Sequence, residues 1–297
     1  MPIKVFGPLV GTSQPESHTG AAVFAKVLAM TSGPEIPRGP RRKRARGEKT
    51  RPRNPSRLTV DQHVFPAKSI ERFVGADGRV SVQLLERNKS VRAKPNNPIF
   101  CADRSWDQRA ETGFMKQIED AFQAAVGTLL EGKAASVSAE ARPAIDRMYS
   151  LWYWRARYRD LESQEIELKG IVGSVLTLEQ EENLESNGYM FARASGNMPA
   201  RQMNGVTLMI RTNRYADQLA TAVPRWSVIV PQTGEFIVPD VPWHCVLPLA
   251  PQLALMNAPI DGVITEENLA QFNSAMRAGS QDYFFTRDFA RSPFSIP

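Results

Sequence analysis

The sequence predicts an α+β fold, with a central helical block flanked by short strands and hairpins and preceded by a disordered basic N-terminal arm. Apolar residues recur at helical spacing through the middle of the 297-residue chain. Short apolar runs bounded by turn residues lie before and after this block. Because the strands do not alternate with the helices, the order favours α+β over a doubly wound parallel sheet.

The basic arm extends from Arg38 to Arg57 and reads RGPRRKRARGEKTRPRNPSR. It contains ten basic residues and one acid, Glu48, so it carries +9 and leaves −3 of the total of +6 to the rest of the chain. Its three prolines, Pro37 just before it and its lack of an apolar face predict that it is disordered. Residues 1–57 are therefore interpreted as a low-order segment, and residues 58–297 as a single α+β domain.

A run of positive charge of this kind neutralises phosphates and binds nucleic acid without sequence preference. The same run also fits a localisation signal or a solvated tether, and these alternatives stay open. We predict nucleic acid as the partner. The residues assigned to the contact are Arg41, Arg42, Lys43, Arg44, Arg46, Lys49, Arg51 and Arg53.

The cysteine count, the hydropathy pattern and the motif content exclude several classes of protein. Two cysteines, Cys101 and Cys245, do not make a disulfide scaffold or a four-cysteine zinc site. No apolar run approaches the roughly 20 residues that span a bilayer, and Thr19–Met30 predicts only a short helix. Fingerprints of phosphate-binding loops are missing. We expect a soluble cytoplasmic protein without a membrane partner and without a resident cofactor.

The sequence of the first half of the domain predicts mostly helices. Pro66 begins a short helix that buries Ile70 and Phe73, and Val80–Leu85 is a strand. Longer helices are expected over about residues 109–131, from Ser138 as N-cap towards Glu165, from Thr177 with a capping-box glutamine to about Asn187, and from Pro199 to Leu219.

The last third of the chain changes to strands. Trp226–Val230 and Glu235–Val238 predict a hairpin, and a further strand is expected around Cys245–Leu249. Thr265 caps a last helix, and Tyr283–Phe289 returns as a strand.

Asp61 and His63 form the first candidate for chemistry. They lie two positions apart on an extended segment, so their side chains share one face. There His63 can act as a general base, and Asp61 can orient it or hold a metal. The pair defines an alternative function, a metal-dependent phosphodiesterase or nuclease that uses His63, Asp61 and Asp240 with a divalent metal. A hydrogen-bonding role for His63 is the competing interpretation.

Two further groups favour packing over chemistry. In the stretch DVPWHC, adjacent His244 and Cys245 point to opposite faces of a strand, so Cys245 is interpreted as a small buried residue. Residues 152–159 interleave aromatic rings with arginines, which suits stacking on bases. Their helical spacing predicts core packing instead, with Arg155 and Arg159 on a solvated stripe.

The order of these segments resembles a bacterial family known as domain of unknown function 4238. The opening motif of the family is similar to His63-Val64-Phe65-Pro66 with Ile70-Glu71-Arg72-Phe73, and its later motifs to Trp226, Asp240-Val241-Pro242 and Pro248-Leu249-Ala250-Pro251. The resemblance extends from about Leu58 to Arg287.

Two positions depart from the family pattern. The family has two successive histidines where this chain has Gln62-His63, and a Thr or Ser where this chain has Pro239. Since the family has no established activity, the resemblance informs the fold alone. Three hypotheses remain: nucleic-acid binding through the arm, the metal-dependent nuclease, and a non-catalytic interaction protein.

Overall fold

The computed structural model describes residues 47–161, 164–259 and 261–294. Helices occupy the middle of this chain and strands its two ends, which confirms the α+β prediction. None of the helices in these ranges is both long enough and apolar enough to cross a bilayer.

The N-terminal strands belong to two different sheets. Strand β1 (Asp61–His63) pairs antiparallel with β4 (Cys101–Asp103), and β2 (Val80–Leu84) pairs with β3 (Lys89–Ala93). Helix α1 (Ala67–Glu71) follows Pro66 and buries Ile70 as predicted, and Phe73 just after it is also buried.

The helical block begins with a π-helix, Ala110–Met115, which continues directly into α2 (Lys116–Leu130). The apolar residues that recur at helical spacing along α2 are all buried, and they are Ile118, Phe122, Val126 and Leu129. Three helices follow, with the short β5 (Ile166–Glu167) and β6 (Asn197–Met198) among them: α3 (Arg142–Tyr158), α4 (Leu178–Ser186) and α5 (Ala200–Ala222). The capping box of α4 forms in both directions between Thr177 and Gln180.

Helix α3 is shorter than predicted at both ends. Its N-cap is Ala141, and Ser138 accepts a hydrogen bond from the Ala141 N–H at 3.3 Å one turn earlier. The helix ends at Tyr158, well short of Glu165. Proline in the first turn is compatible with a helix start, so Pro143 marks the beginning better than Ser138 does.

The C-terminal third contains β7 (Trp226–Pro231), β8 (Val238–Pro239), β9 (Val246–Ala250), β10 (Leu253–Asn257), β11 (Gly262–Ile264), α6 (Glu266–Gly279) and β12 (Tyr283–Thr286). Strand β7 lies between β10 and β11, while β8 pairs with β12, which itself pairs with β2. The predicted hairpin of β7 with Glu235–Val238 is therefore wrong. Alternating apolar residues specify which face a strand buries but not which strand it pairs with.

Glycine at position 205 lets α5 approach the π-helix. A methyl group there would overlap the Asp107 carboxylate and lie 3.0 Å from the Ala110 Cβ. We predict that Gly205→Ala lowers the free energy of unfolding by about 1–3 kcal/mol in a urea titration, since overpacking strains a filled core. Gly127→Ala on α2, where a methyl group meets nothing within 4 Å, should stabilise by about 0.5–1 kcal/mol. Equal effects of the two substitutions would contradict the packing argument.

Candidate functional site

The first described residues lie on the folded domain, and we call residues 47–58 the lead segment. Glu48 forms ion pairs with Arg193, at 3.1 Å, and with Arg201. Burial alone would raise the pKa of Glu48, but the hydrogen bonds and charges of these two arginines hold it below its ordinary value. Gly47 packs so closely on Arg104 that a Cβ would lie 2.9 Å from the Arg104 Cβ.

Arg51 fixes the lead segment to α4. Its Nε lies 2.9 Å from Glu182 Oε2, its backbone N–H donates to Glu182 Oε1 at 2.5 Å, and its Nη1 lies 2.9 Å from Glu179 Oε1. The prediction of disorder up to Arg57 is therefore wrong for residues 47–57, because α4 supplies carboxylates that composition alone does not reveal.

The eight residues assigned to nucleic acid now fall into three groups. Arg51 is committed to α4, whereas Lys49 and Arg53 are exposed on the lead segment. The others lie outside the described residues, and they are Arg41, Arg42, Lys43, Arg44 and Arg46.

A buried ion network connects the lead segment to α5. Glu185 Oε2 lies 2.7 Å from Arg104 Nη2 and 2.8 Å from Arg201 Nε, and all three side chains are at most 3% exposed. Arg104 also donates from Nη1 to the Glu48 carbonyl at 3.1 Å. Burial and the neighbouring charge of Arg201 lower the pKa of Arg104. The network anchors the chain. Because Arg104 and Arg201 are already paired with carboxylates, they are not available to bind a phosphate.

Asp61 and His63 both lie on β1, but His63 forms a hydrogen bond that holds a turn in place. The imidazole Nε2 of His63 lies 3.0 Å from the Pro95 carbonyl, so Nε2 carries the proton and donates it. Across the strand pair, His63 is opposite Cys101, whose thiol points to the Asn97 carbonyl at 3.9 Å. Both side chains thus contact the turn between β3 and β4. Asp61 is exposed at the edge.

Asp240 is buried and has partners of its own. Its oxygens accept hydrogen bonds from the N–H groups of Gln281, at 2.8 Å, and Asp282, at 2.9 Å, and one oxygen lies 3.1 Å from Arg159 Nη2. Among the described residues, no group of three or more His, Cys, Asp and Glu side chains is arranged to hold a metal. The structure therefore does not bring Asp61, His63 and Asp240 into one metal-binding group.

The arginine stripe of α3 is buried, so the prediction that it is solvated is wrong. Arg155 is 1% exposed and forms ion pairs with Glu119 and, at 3.5 Å, with Glu111. Its guanidinium lies 5.6 Å from the centre of the Trp106 ring, and the Trp106 indole donates to Glu111 at 2.5 Å. These carboxylates come from the π-helix and α2, so local spacing on α3 could not show them.

Arg159 is the C-cap residue of α3, directly after Tyr158, and its side chain is completely buried. Its Nη2 lies 3.1 Å from Asp240 and 2.7 Å from Asp282, and its guanidinium lies 5.9 Å from the Tyr283 ring centre. Burial opposes its charge, but the carboxylates of Asp240 and Asp160 raise its pKa above the ordinary arginine value. Its Nε and Nη1 have no hydrogen-bond partner in the described chain.

Cys245 is a buried packing residue, as the sequence analysis predicts. Burial raises the pKa of its thiol to about 11, which leaves almost no thiolate at neutral pH. Its backbone N–H donates to the Tyr149 hydroxyl at 3.1 Å. His244 and Cys245 both have positive φ angles, 50° and 47°, so they form a turn just before β9 and not part of a strand.

A cleft of about 410 Å³ opens beside β3 and the end of β12. Three arginines and three acids line it, so its formal charge is zero: Arg92, Arg287, Arg291, Asp77, Glu235 and Asp288. Arg92 pairs with Asp77, and Arg287 and Arg291 share one oxygen of Glu235. The cleft therefore offers no excess of positive charge to a polyanion.

No protein-family model, curated protein or solved structure matches this chain. The resemblance to domain of unknown function 4238 stays a prediction.

Proposed function

We propose that the protein binds nucleic acid through the basic run at residues 38–46, which directly precedes the lead segment in the sequence. The observation that carries this proposal is the distribution of charge. Residues 1–46 contain eight basic and two acidic residues, so they carry +6, the entire net charge of the chain. Residues 47–297 contain 29 of each. The positive potential that attracts a polyanion is therefore concentrated ahead of Gly47.

The ion pairs of the domain support this assignment. Arg51, Arg104, Arg155, Arg159 and Arg201 are each bound by carboxylates, most of them deep in the protein. A guanidinium held this way would have to break a buried ion pair before it could contact a phosphate, and breaking such a pair is costly.

Lys49 and Arg53 extend the contact along the surface of the domain. Both are exposed, and they stand on either side of Arg51, which ties the backbone to α4. The proposed contact set is thus Arg41, Arg42, Lys43, Arg44 and Arg46 together with Lys49 and Arg53. Arg51 leaves the set and becomes an anchor. Binding proceeds by release of counterions from the phosphates and needs neither a cofactor nor base recognition.

Substitution of the run tests the proposal. In the full chain, Arg41, Arg42, Lys43, Arg44 and Arg46 are replaced by glutamine, and affinity for labelled duplex DNA and single-stranded RNA is measured by fluorescence anisotropy at 50 mM salt. We expect affinity for both to fall by about 100-fold or more, because five phosphate contacts are lost.

A matched variant on the domain controls for net charge. Five exposed basic residues without ion pairs, Lys68, Arg79, Arg87, Lys89 and Lys94, are replaced by glutamine. This variant should retain most of the affinity. An equal loss in both variants would show that only net charge matters and would overturn the proposal. The same samples are incubated with magnesium, and cleavage that His63→Ala abolishes would favour the nuclease hypothesis instead.

The cysteines support a reducing, cytoplasmic setting for this function. Cys101 and Cys245 are both buried, and both are thiols that form no disulfide. A free thiol pair of this kind is typical of compartments in which disulfides do not form.

A further inference from the structure

The exposed side chain of Arg211, on α5, lies over two aromatic rings of α3. The central carbon of its guanidinium is 4.8 Å from the centre of the Trp154 ring and 5.8 Å from the centre of the Tyr158 ring. Both distances lie within the roughly 6 Å at which a cation is attracted to an aromatic ring. Tyr153 packs edge-on against Trp154, with the ring centres 5.1 Å apart. The aromatic rings of α3 therefore hold the Arg211 guanidinium at the surface of the domain.

Arg211 differs from the two buried arginines of α3 in its partners. Arg155 and Arg159 are buried and paired with carboxylates. Arg211 is exposed and forms no ion pair within the described part of the chain. Arg157 on α3 is likewise exposed, and no carboxylate of the described residues pairs with it. A guanidinium without a carboxylate keeps its charge and its N–H donors available for a ligand.

The positive charges of Arg157 and Arg211 meet at one ring. Burial raises the pKa of the Tyr158 hydroxyl, and the charges of Arg211 and Arg157 both oppose that shift. A third exposed arginine, Arg214, follows Arg211 by three residues, so the two are neighbours on the surface of α5. We call Arg157, Arg211 and Arg214, together with the partly buried Trp154, the Arg211 site.

We propose that the Arg211 site binds single-stranded nucleic acid, with a base stacked on the guanidinium of Arg211 and backbone phosphates on Arg157 and Arg214. Bases stack on arginine planes as they do on aromatic rings, and stacking of this kind accepts any base. In a duplex the bases are stacked on one another, so an unpaired strand is the form that offers a base to the site. Trp154 orders the guanidinium before the ligand arrives, which lowers the entropic cost of binding.

This inference rests on the proposed function and deepens it. The basic run ahead of Gly47 attracts any polyanion by charge. The Arg211 site adds a contact that depends on the base, so it gives the protein a preference for unpaired strands.

Arg211→Lys separates stacking from charge. Lysine keeps the positive charge near Trp154, but it has no planar group on which a base can stack. Because Arg211 is exposed, the substitution leaves the core of the domain intact. Arg79→Lys is the matched control, since Arg79 is an exposed arginine directly before β2 and lies outside the Arg211 site.

Fluorescence anisotropy with the full chain compares a labelled single-stranded DNA with an abasic strand that has the same number of phosphates. We expect the strand with bases to bind about tenfold more tightly, which is the size of effect that one stacked base produces. The preference should fall below about twofold in Arg211→Lys and stay near tenfold in Arg79→Lys.

The outcomes separate this inference from the proposed function. A preference that survives in Arg211→Lys, or equal binding of the two strands by the unmodified chain, would overturn the inference. The proposed function fails on a different result, namely that glutamine at Arg41, Arg42, Lys43, Arg44 and Arg46 leaves the affinity for both strands unchanged. If the unmodified chain bound neither strand, both proposals would be overturned.

Discussion

Replacing Asp240 by asparagine should lower the free energy of unfolding by about 3–5 kcal/mol, the cost of leaving a buried charge without its partner. Asp240 and Arg159 both have fully buried side chains. After the substitution Arg159 keeps only the more exposed carboxylates of Asp282 and, at 3.4 Å, Asp160, and two of its nitrogens already have no hydrogen-bond partner in the described chain. Urea unfolding monitored by tryptophan fluorescence measures the change.

Asp282→Asn is the matched control for this prediction. Asp282 contacts the same Arg159 nitrogen, at 2.7 Å, but it is 50% exposed. An exposed ion pair contributes little, so the expected loss is below about 1 kcal/mol. If the two substitutions destabilised the protein equally, burial would not be the reason for the cost, and the description of Asp240 as a structural carboxylate would be wrong.

Glu185→Gln should have an effect of similar size, about 3–5 kcal/mol, because it leaves Arg104 and Arg201 close together without the carboxylate between them. A second effect is specific to this site. Arg104 donates to the carbonyl of Glu48, so we also expect the lead segment to detach and become sensitive to trypsin at Lys49 under conditions in which the domain stays folded.

Glu179→Gln provides the comparison on the same surface. Glu179 pairs with Arg51 from an exposed position, 63% accessible, so its loss should leave both the unfolding midpoint and the trypsin pattern nearly unchanged. A stable Glu185→Gln protein with a protected lead segment would contradict the idea that the buried network anchors this part of the chain.

Local patterns were sufficient to predict the helices that bury one apolar face. The four apolar positions of α2 and the capping box of α4 are determined by residues within a few positions of one another, and both are confirmed. The strand at Val80 and the burial of Cys245 were predictable for the same reason.

Long-range partners account for what the sequence did not reveal. A helical projection places Arg155 and Arg159 on a solvated face. Both are buried in the structure, where they form ion pairs with Glu119 and Asp240, which lie far away in the sequence. The strand at Trp226 pairs with β10 and β11 and not with the nearest apolar run.

The lead segment shows that composition alone also misses long-range contacts. Proline and charge predicted disorder over residues 38–57, but Arg51 meets an acidic face of α4 that is more than 120 residues away. A net-charge count did identify where the positive charge of the chain lies, but it did not show that Glu179 and Glu182 pair with Arg51.

The salt dependence of nucleic-acid binding tests the central claim most directly. For the full chain and for the variant with glutamine at Arg41, Arg42, Lys43, Arg44 and Arg46, the logarithm of the duplex-DNA binding constant is plotted against the logarithm of salt concentration. The account predicts that the slope becomes shallower by about 4.5 in the variant, as expected for five lost phosphate contacts at about 0.9 each. An unchanged slope would show that the phosphates are bound elsewhere on the protein and would contradict the account.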